Sequence, residues 1–383
     1  MGINTTLIKS GVNLISSMKQ ARLVLTSALY IAGGVIAPMG TANAASTEPM
    51  KWHPGHYYML VGDGKSSSNY LNEVYTEMKN TPALRGAVIR YKWAELEPTF
   101  GAYDFSAIDL RLAELKSRNK RLIILLETKS AGDNPEDIVP MYVRTPAYEN
   151  GTFHISAQTG RQGRNMKLWN PAIQTRLSAL IHELGKRYNA HPNFEGFGFT
   201  ETAMGNPDSP LSAAQIDHYY DNLLELNQAA RTSFPATMTF QYMNHPRKVL
   251  PTFINTMKNT GWAIGCPDVF IEDEGLLAKA TKYTSQGLYN YYPDLAGSMP
   301  LTVQIEDSNY RNTKYDNTGY KPSVTNLLNF AKDTLDVNYI FWTRTPEYAP
   351  AVLKLLNSTT QKSTISGGLK SACPGSYKSC VTN

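Results

Sequence analysis

Glu201 and Glu306 each close a short, mostly apolar run, Phe197-Gly-Phe-Thr-Glu201 and Leu301-Thr-Val-Gln-Ile-Glu306, and each run is followed by a polar loop. If both runs are strands of one parallel sheet, the two carboxylates share a rim. A carboxylate pair so placed is the minimum apparatus for breaking a glycosidic bond. One group protonates the leaving oxygen while the other attacks the anomeric carbon or activates water. The competing reading makes one or both of them ion-paired rim residues without chemistry.

Several other residues fit around such a pair. Arg90 ends an earlier run, and its charge would favour the ionised form of a neighbouring carboxylate. Glu127, Asn244, Glu272 and Glu274 follow further runs and suit hydrogen bonding to sugar hydroxyls, with a salt-bridged rim as the alternative for the acids. Asp307, next to Glu306, points to the other side of the pleat. The loop after Glu306 spaces Tyr310, Tyr315 and Tyr320 through polar residues, a pattern suited to stacking on sugar faces. Trp93, Trp169, Tyr242 and Trp342 are further candidate platforms. For each of these aromatics a core or loop-anchoring role competes.

The elements that must position these groups alternate. Strands are expected at Tyr57–Gly62, Ala87–Tyr91, Leu122–Glu127, Glu195–Glu201, Met238–Met243, Val269–Asp273, Leu301–Glu306 and Tyr339–Thr343. Most are near-continuous apolar runs, as in parallel strands buried on both faces. Helical patterns lie between them. In the clearest, Asn170-Pro171 supplies a cap and a first-turn proline, ahead of a stripe through Ile173, Leu177, Leu180, Ile181, Leu184 and Tyr188. Eight strand–helix units in this length predict an α/β fold, a (β/α)8 barrel in one domain. A doubly wound sheet is the alternative, but G-x-G-x-x-G is absent. The stretch from Thr128 to Trp169 is too long for an ordinary connection and would be an enlarged loop after strand three, over the C-terminal face.

The segment Trp93-Ala-Glu-Leu-Glu-Pro98, followed by Gly101-Ala-Tyr-Asp-Phe-Ser-Ala-Ile-Asp109, resembles the second-strand region of retaining glycoside hydrolases of clan A. Pro98 and Gly101 turn the chain there, Ser106 is placed to cap the next helix, and Glu95 and Glu97 read as structural partners within the turn. The resemblance implies an acid/base at the end of strand four and a nucleophile at the end of strand seven, positions that the strand count gives to Glu201 and Glu306. It also implies a strand-eight aromatic, where Trp342 stands. Glu201 would then carry a raised pKa, from the neighbouring charge and partial desolvation, as a proton donor requires. One position departs from the pattern. Thr200 precedes Glu201 where the clan has an asparagine that binds the sugar's 2-hydroxyl, so Thr200 would do that work with a shorter reach.

Residues 1–44 read as a secretory signal. Lys9, Lys19 and Arg22 form a basic region, Leu23 to Val35 is almost wholly apolar, and Ala42-Asn43-Ala44 offers a cleavage site. Met18 provides a second start that would shorten the basic region. Residues 45–383 are expected to be the catalytic barrel, secreted or periplasmic and without a stable membrane anchor. The whole chain has net charge +5, and losing the three basic signal residues leaves +2, too little to suggest a nucleic-acid partner. Of the three cysteines, Cys373 and Cys380 bracket a short tail segment and are expected to pair, while Cys266 is expected to be buried.

No cofactor is expected. Gly62-Asp-Gly64-Lys65-Ser66 lacks the first glycine of a phosphate loop, His53 and His56 have no further ligand at metal-site spacing, and Gly-x-Ser-x-Gly is missing. The expected function is a retaining glycoside hydrolase acting on an oligo- or polysaccharide. The alternatives are a non-catalytic carbohydrate-binding barrel, led by Thr200, and an inverting hydrolase or transglycosylase on the same scaffold.

Overall fold

The structure, a computed structural model, describes residues 48–61, 67–130, 138–156 and 162–382. The predicted signal and the Gly62-to-Ser66 segment lie outside the described residues. Eight parallel strands close a barrel: β1 (Gly55–Leu60), β2 (Leu84–Lys92), β3 (Arg121–Glu127), β4 (Phe194–Phe199), β5 (Met238–Tyr242), β6 (Ala263–Cys266), β7 (Leu301–Ile305) and β8 (Tyr339–Thr343). Each pairs with its sequence neighbours, and β8 pairs with β1.

The pleat sorts each strand into two cores. Tyr57, Val88, Ile123, Phe240 and Phe341 fill the barrel interior, whereas Ile89, Ile124, Ile264, Val303 and Trp342 face the surrounding helices. Both faces are therefore dry, which is why the strands read as continuous apolar runs. In β4 the two faces differ sharply in size. Phe197 and Phe199 belong to the outer core, while Gly196 and Gly198 make room for side chains of β5. A Cβ built on Gly198 would lie 2.3 Å from Cζ of the buried Phe240. Gly198→Ala is therefore expected to destabilise the fold by about 1–3 kcal/mol, the usual cost of overpacking a core. Denaturant unfolding checks this, and an unchanged midpoint would show that the ring can yield.

Helices α1 (Ser68–Asn80), α2 (Ser106–Lys116), α3 (Pro171–Tyr188), α4 (Ala213–Ser233) and α5 (Leu250–Thr260) follow β1 to β5. Asn170 caps α3, its side chain accepting from the backbone of Ala172 and Ile173, and the predicted apolar stripe is buried. Ser106 does not cap α2. Its backbone N–H instead donates to the Asp104 carboxylate at 3.0 Å, so the aspartate two residues earlier satisfies the helix start. Between β6 and β7 the helical layer thins to short turns at Leu288–Tyr291 and Tyr292–Leu295, and helices return at Val324–Asn329 after β7 and Ala349–Leu356 after β8.

The sixth strand is not where the apolar run suggested. It is the four-residue β6, and Val269–Asp273 is irregular chain after it. Backbone donors of Val269 and Phe270 are taken by the Asn309 side chain and the Tyr289 hydroxyl instead of by a neighbouring strand. The long excursion after β3 carries a sheet of its own. Lys129–Ser130 pairs with Gln162–Met166, which pairs with Thr152–Ser156, which takes Asn206–Pro207 as its edge, all antiparallel. At the opposite end of the barrel, Met50–Lys51 pairs with Cys380–Val381, next to the expected Cys373–Cys380 disulfide. Cys266 is buried, as expected. No helix among the described residues is long and apolar enough to cross a membrane.

Candidate active site

Glu306 leaves the end of β7 and stands before the one-turn helix Asp307–Arg311. Its backbone N–H donates to Asn309 Oδ1 at 2.7 Å, which fixes the turn. Arg90, facing inward from β2, donates from Nη2 to Glu306 Oε1 at 2.9 Å and lies 3.7 Å from Glu127 at the end of β3. Burial costs the guanidinium, but the charges of Glu306, Glu127 and Glu201 outweigh that cost and raise its pKa further. Arg90, Glu127, Glu201 and Glu306 thus form one charge network at the C-terminal mouth of the barrel. Asp307 points away and pairs with Arg311, as its position on the pleat predicts.

Gln304 supports this network and was not anticipated. It lies two residues before Glu306 and so on the same face of β7. Its Nε2 donates to Glu306 Oε1 and, at 3.3 Å, to Thr343 Oγ1. A buried polar residue inside an apolar strand was the available signal.

Glu201 follows β4 at the same mouth, but its electrostatics reverse the expectation. Burial pushes its carboxyl up, yet the Lys129 ammonium 2.6 Å away, assisted by Arg90, brings it below its ordinary value. Glu201 is therefore held as a carboxylate, against the raised pKa that the resemblance implies. Lys129 also donates to the Ala203 carbonyl. A single lysine in a polar stretch gave no sign of this role.

Thr200 is buried, with its hydroxyl directed to Thr128. Its hydroxyl accepts from the Thr128 backbone N–H at 3.1 Å and bonds the Thr128 hydroxyl at 2.8 Å. Its carbonyl accepts from the Gln241 side chain. Thr200 therefore clamps the exits of β3 and β4 together. Asn244, after β5, has a related job. Its Oδ1 accepts from Ala203 N at 3.3 Å and from His245 N at 2.7 Å, so it steadies the loop carrying Glu201.

Most of the predicted aromatic platforms are interior. Trp93 is fully buried and donates from Nε1 to Glu97 at 2.8 Å, within the structural turn foreseen for Glu97. Trp342 faces the helices and donates to His56 Nδ1 at 3.0 Å; Thr343 is the residue of β8 that faces the site. Tyr310 stacks on Tyr348 with centroids 4.5 Å apart and donates to the Thr343 carbonyl. Trp169 donates to Glu149 at 3.1 Å. Tyr242 packs in the barrel interior, with its hydroxyl in the field of Arg90, Glu306 and Glu201 and without a hydrogen-bond partner among the described residues. The accessible ring beside the acids is Tyr315. It is 42 % exposed, packs edge-on against Phe270 and feels the charges of Asp268 and Glu201.

Glu272 and Glu274 do not join the network. Glu272 accepts from Thr313 Oγ1 at 2.5 Å and the exposed Glu274 lies 3.4 Å from Lys314, so both tie the loop after β6 to the loop after β7. The acid that does belong there is Asp268, missed because the strand was placed after it. Its carboxyl lies 3.5 Å from the Nδ2 of Asn309, the side chain that fixes Glu306. Burial, followed by the charges of Glu306 and Glu201, pushes it up to about 8. Among the described residues no group of three or more His, Cys, Asp or Glu is arranged to hold a metal ion.

No family model and no curated protein sequence matches the chain. Its fold does match solved structures. The catalytic domain of a β-amylase from Paenibacillus polymyxa superposes with TM-score 0.53 at 8 % identity, over 81 % of this chain and 100 % of that one. A β-galactosidase from the psychrophilic Marinomonas ef1 gives 0.55 at 9 % identity, over 83 % of this chain and 61 % of the other. A β-galactosidase from Bacillus circulans sp. alkalophilus gives 0.50 at 11 % identity, over 76 % and 50 %. The chain therefore has the barrel fold found in these glycoside hydrolases, and spans only part of the two galactosidases.

Proposed function

We propose that the protein is an exported glycoside hydrolase that cleaves an oligo- or polysaccharide with retention, using Glu306 as nucleophile and Glu201 as acid/base. The observation that carries this reading is the charge network at the barrel mouth, in which Arg90 bonds Glu306 and also feels Glu201. The names of the fold neighbours, a β-amylase and two β-galactosidases, support the substrate class. So does the accessible ring of Tyr315 beside the acids.

In the first half-reaction a Glu306 oxygen attacks the anomeric carbon, the bond to the leaving oxygen breaks, and a proton on Glu201 moves to that oxygen. In the second, water attacks the same carbon from the leaving-group side and gives a proton to Glu201, and the bond to Glu306 breaks. Arg90 and Gln304 hold the attacking oxygen and favour its ionised form. Burial of the surroundings strengthens each of these interactions.

The test is Glu201→Gln assayed against a polysaccharide panel and against aryl glycosides. Hydrolysis of unactivated glycosides should fall by about 10²–10⁴-fold, the usual contribution of a positioned acid/base. The loss should be smaller for a leaving group that departs without a proton, and azide should restore turnover of that substrate. Full activity of the variant on unactivated glycosides would remove Glu201 from the chemistry. Absence of release from any glycan by the wild type would leave a carbohydrate-binding barrel.

One observation favours a second reading, inversion. Asp268 holds its proton at neutral pH while Glu201 is ionised, so Asp268 would donate the proton and a carboxylate would activate water. Proton NMR of the first-formed anomer distinguishes the two.

A further inference from the structure

The placement of Lys129 has a purpose within this proposed reaction. It lies on the short strand Lys129–Ser130, which is anchored twice. On one side its backbone pairs with Asn165 of the strand Gln162–Met166. Asn165 is itself buried, donating from Nδ2 to the Met204 carbonyl at 2.9 Å and to the Tyr219 hydroxyl at 3.0 Å. On the other side the Thr128–Thr200 clamp fixes the residue before Lys129 against the residue before Glu201. The lysine therefore reaches Glu201 from a backbone whose register with the acid is set on both flanks. Its ammonium spans the Glu201 carboxylate and the Ala203 carbonyl, the two ends of the turn that presents the acid.

Resting on the assignment of Glu201 as acid/base, we infer that Lys129 is a positioning residue that holds Glu201 as an oriented carboxylate between turnovers. The site is thereby set for activating water, and protonating the leaving group becomes the restricted step. An acid/base must be protonated for the first half-reaction and ionised for the second. An ammonium in contact favours only the second state. The other groups facing Glu201 are Arg90 from β2, which adds to the effect, and Tyr219 from α4, Tyr242 from β5, Asp268 after β6, Glu306 after β7 and Tyr315 beyond it. The phenols are neutral at working pH. Asp268 keeps its proton until pH rises through about 8, and Glu306 is neutralised in part by its own arginine contact. Among the described residues Lys129 is thus the cation in contact with Glu201.

The consequences have a definite sign. Removing the ammonium leaves burial as the dominant influence, so Glu201 protonates more readily and its titration moves to higher pH. For an unactivated glycoside, the high-pH fall in kcat/KM should move upward in Lys129→Met. For an aryl glycoside with a good leaving group, the second half-reaction governs kcat. That kcat should fall, by less than the ~10²–10⁴-fold loss of Glu201 itself, with the burst of released phenol kept and the steady rate after it slowed. Lys129→Arg should keep the wild-type pattern, which a merely structural role for the side chain would not require.

A second measurement needs no turnover. In full-length protein carrying glutamate labelled with ¹³C at the carboxyl carbon, the Glu201 signal is identified by its absence in Glu201→Gln. It should titrate below the ordinary glutamate range in the wild type and above the wild-type midpoint in Lys129→Met. A wild-type midpoint at or above the ordinary range overturns the inference even if Lys129→Met fails to fold, and so does an equal midpoint in both proteins. If Glu201 titrates as stated but no glycan is cleaved, the ion-pair role stands and the hydrolase reading fails. If glycans are cleaved and Lys129→Met matches the wild type, the reverse holds.

Discussion

Replacing Glu306 by glutamine is expected to abolish turnover while leaving the barrel folded. Glutamine has the same shape and keeps an oxygen that can accept the Arg90 hydrogen bond, now 2.9 Å long. Arg90 also retains Glu127 at 3.7 Å, so its charge is not stranded. What disappears is the negative oxygen proposed to form the bond to the anomeric carbon, and losing a nucleophile costs roughly 10⁴–10⁶-fold in kcat. Thermal melting should move by no more than a few degrees. The smaller variant Glu306→Ala, supplied with azide, should release a glycosyl azide of inverted configuration, because the anion then occupies the place of the carboxylate. Wild-type turnover by the glutamine variant would end the assignment.

The largest effect on stability is expected at the other end of β4. Glu195 is fully buried near the N-terminal face of the barrel, where it accepts from the His53 backbone at 2.8 Å and the Tyr339 hydroxyl at 2.8 Å and contacts the His53 ring at 2.7 Å. Burial opposes its charge, but the His53 contact, then Arg121 and Tyr339, outweigh it and hold its pKa below the ordinary value. Glu195→Ala would remove the one carboxylate that a buried backbone donor, a histidine and a hydroxyl share. Breaking such a cluster costs about 3–5 kcal/mol, to be read from denaturant unfolding. Because the folded-state pKa is depressed, the stabilisation is present above the unfolded-state pKa and fades as pH falls through the lower folded value. The wild type should therefore weaken in acid along a limb that Glu195→Ala lacks. A variant as stable as the wild type at pH 7 would show that this cluster is replaceable. Glycosidase activity should be unaffected in the fraction that folds, since this face lies opposite the carboxylates.

Glu195 within β4 and Glu201 just past its end, six residues apart, show what could be read from sequence and what could not. The barrel was legible because parallel strands dry on both faces leave continuous apolar runs, and seven of the eight expected runs overlap strands. The eighth misled because β6 has only four residues including Gly265, while Val269, Phe270 and Ile271 form the more apolar run and pack in a loop. The placement of Glu201 and Glu306 at one barrel mouth was legible because each ends an apolar run. The aromatics were not, because being close to a strand end says nothing about facing. Trp342 and Thr343 are adjacent, and the pleat sends the larger outward to the helices. Lys129 and Thr200 carry least signal of all, since their roles arise from the pairing of the excursion with the exits of β3 and β4. Those are contacts between segments far apart in the chain.

The pairing of Met50–Lys51 with Cys380–Val381 brings the two ends of the described chain side by side beneath the barrel. Trp52, which follows the first of these segments, packs edge-on against Tyr339 and Tyr377 and seals that floor. Chain continuing from either of these described segments, to a tether or a further module, consequently joins the barrel at its base. The mouth that carries Glu201 and Glu306 would then look outward, toward a polymer too large to diffuse to it.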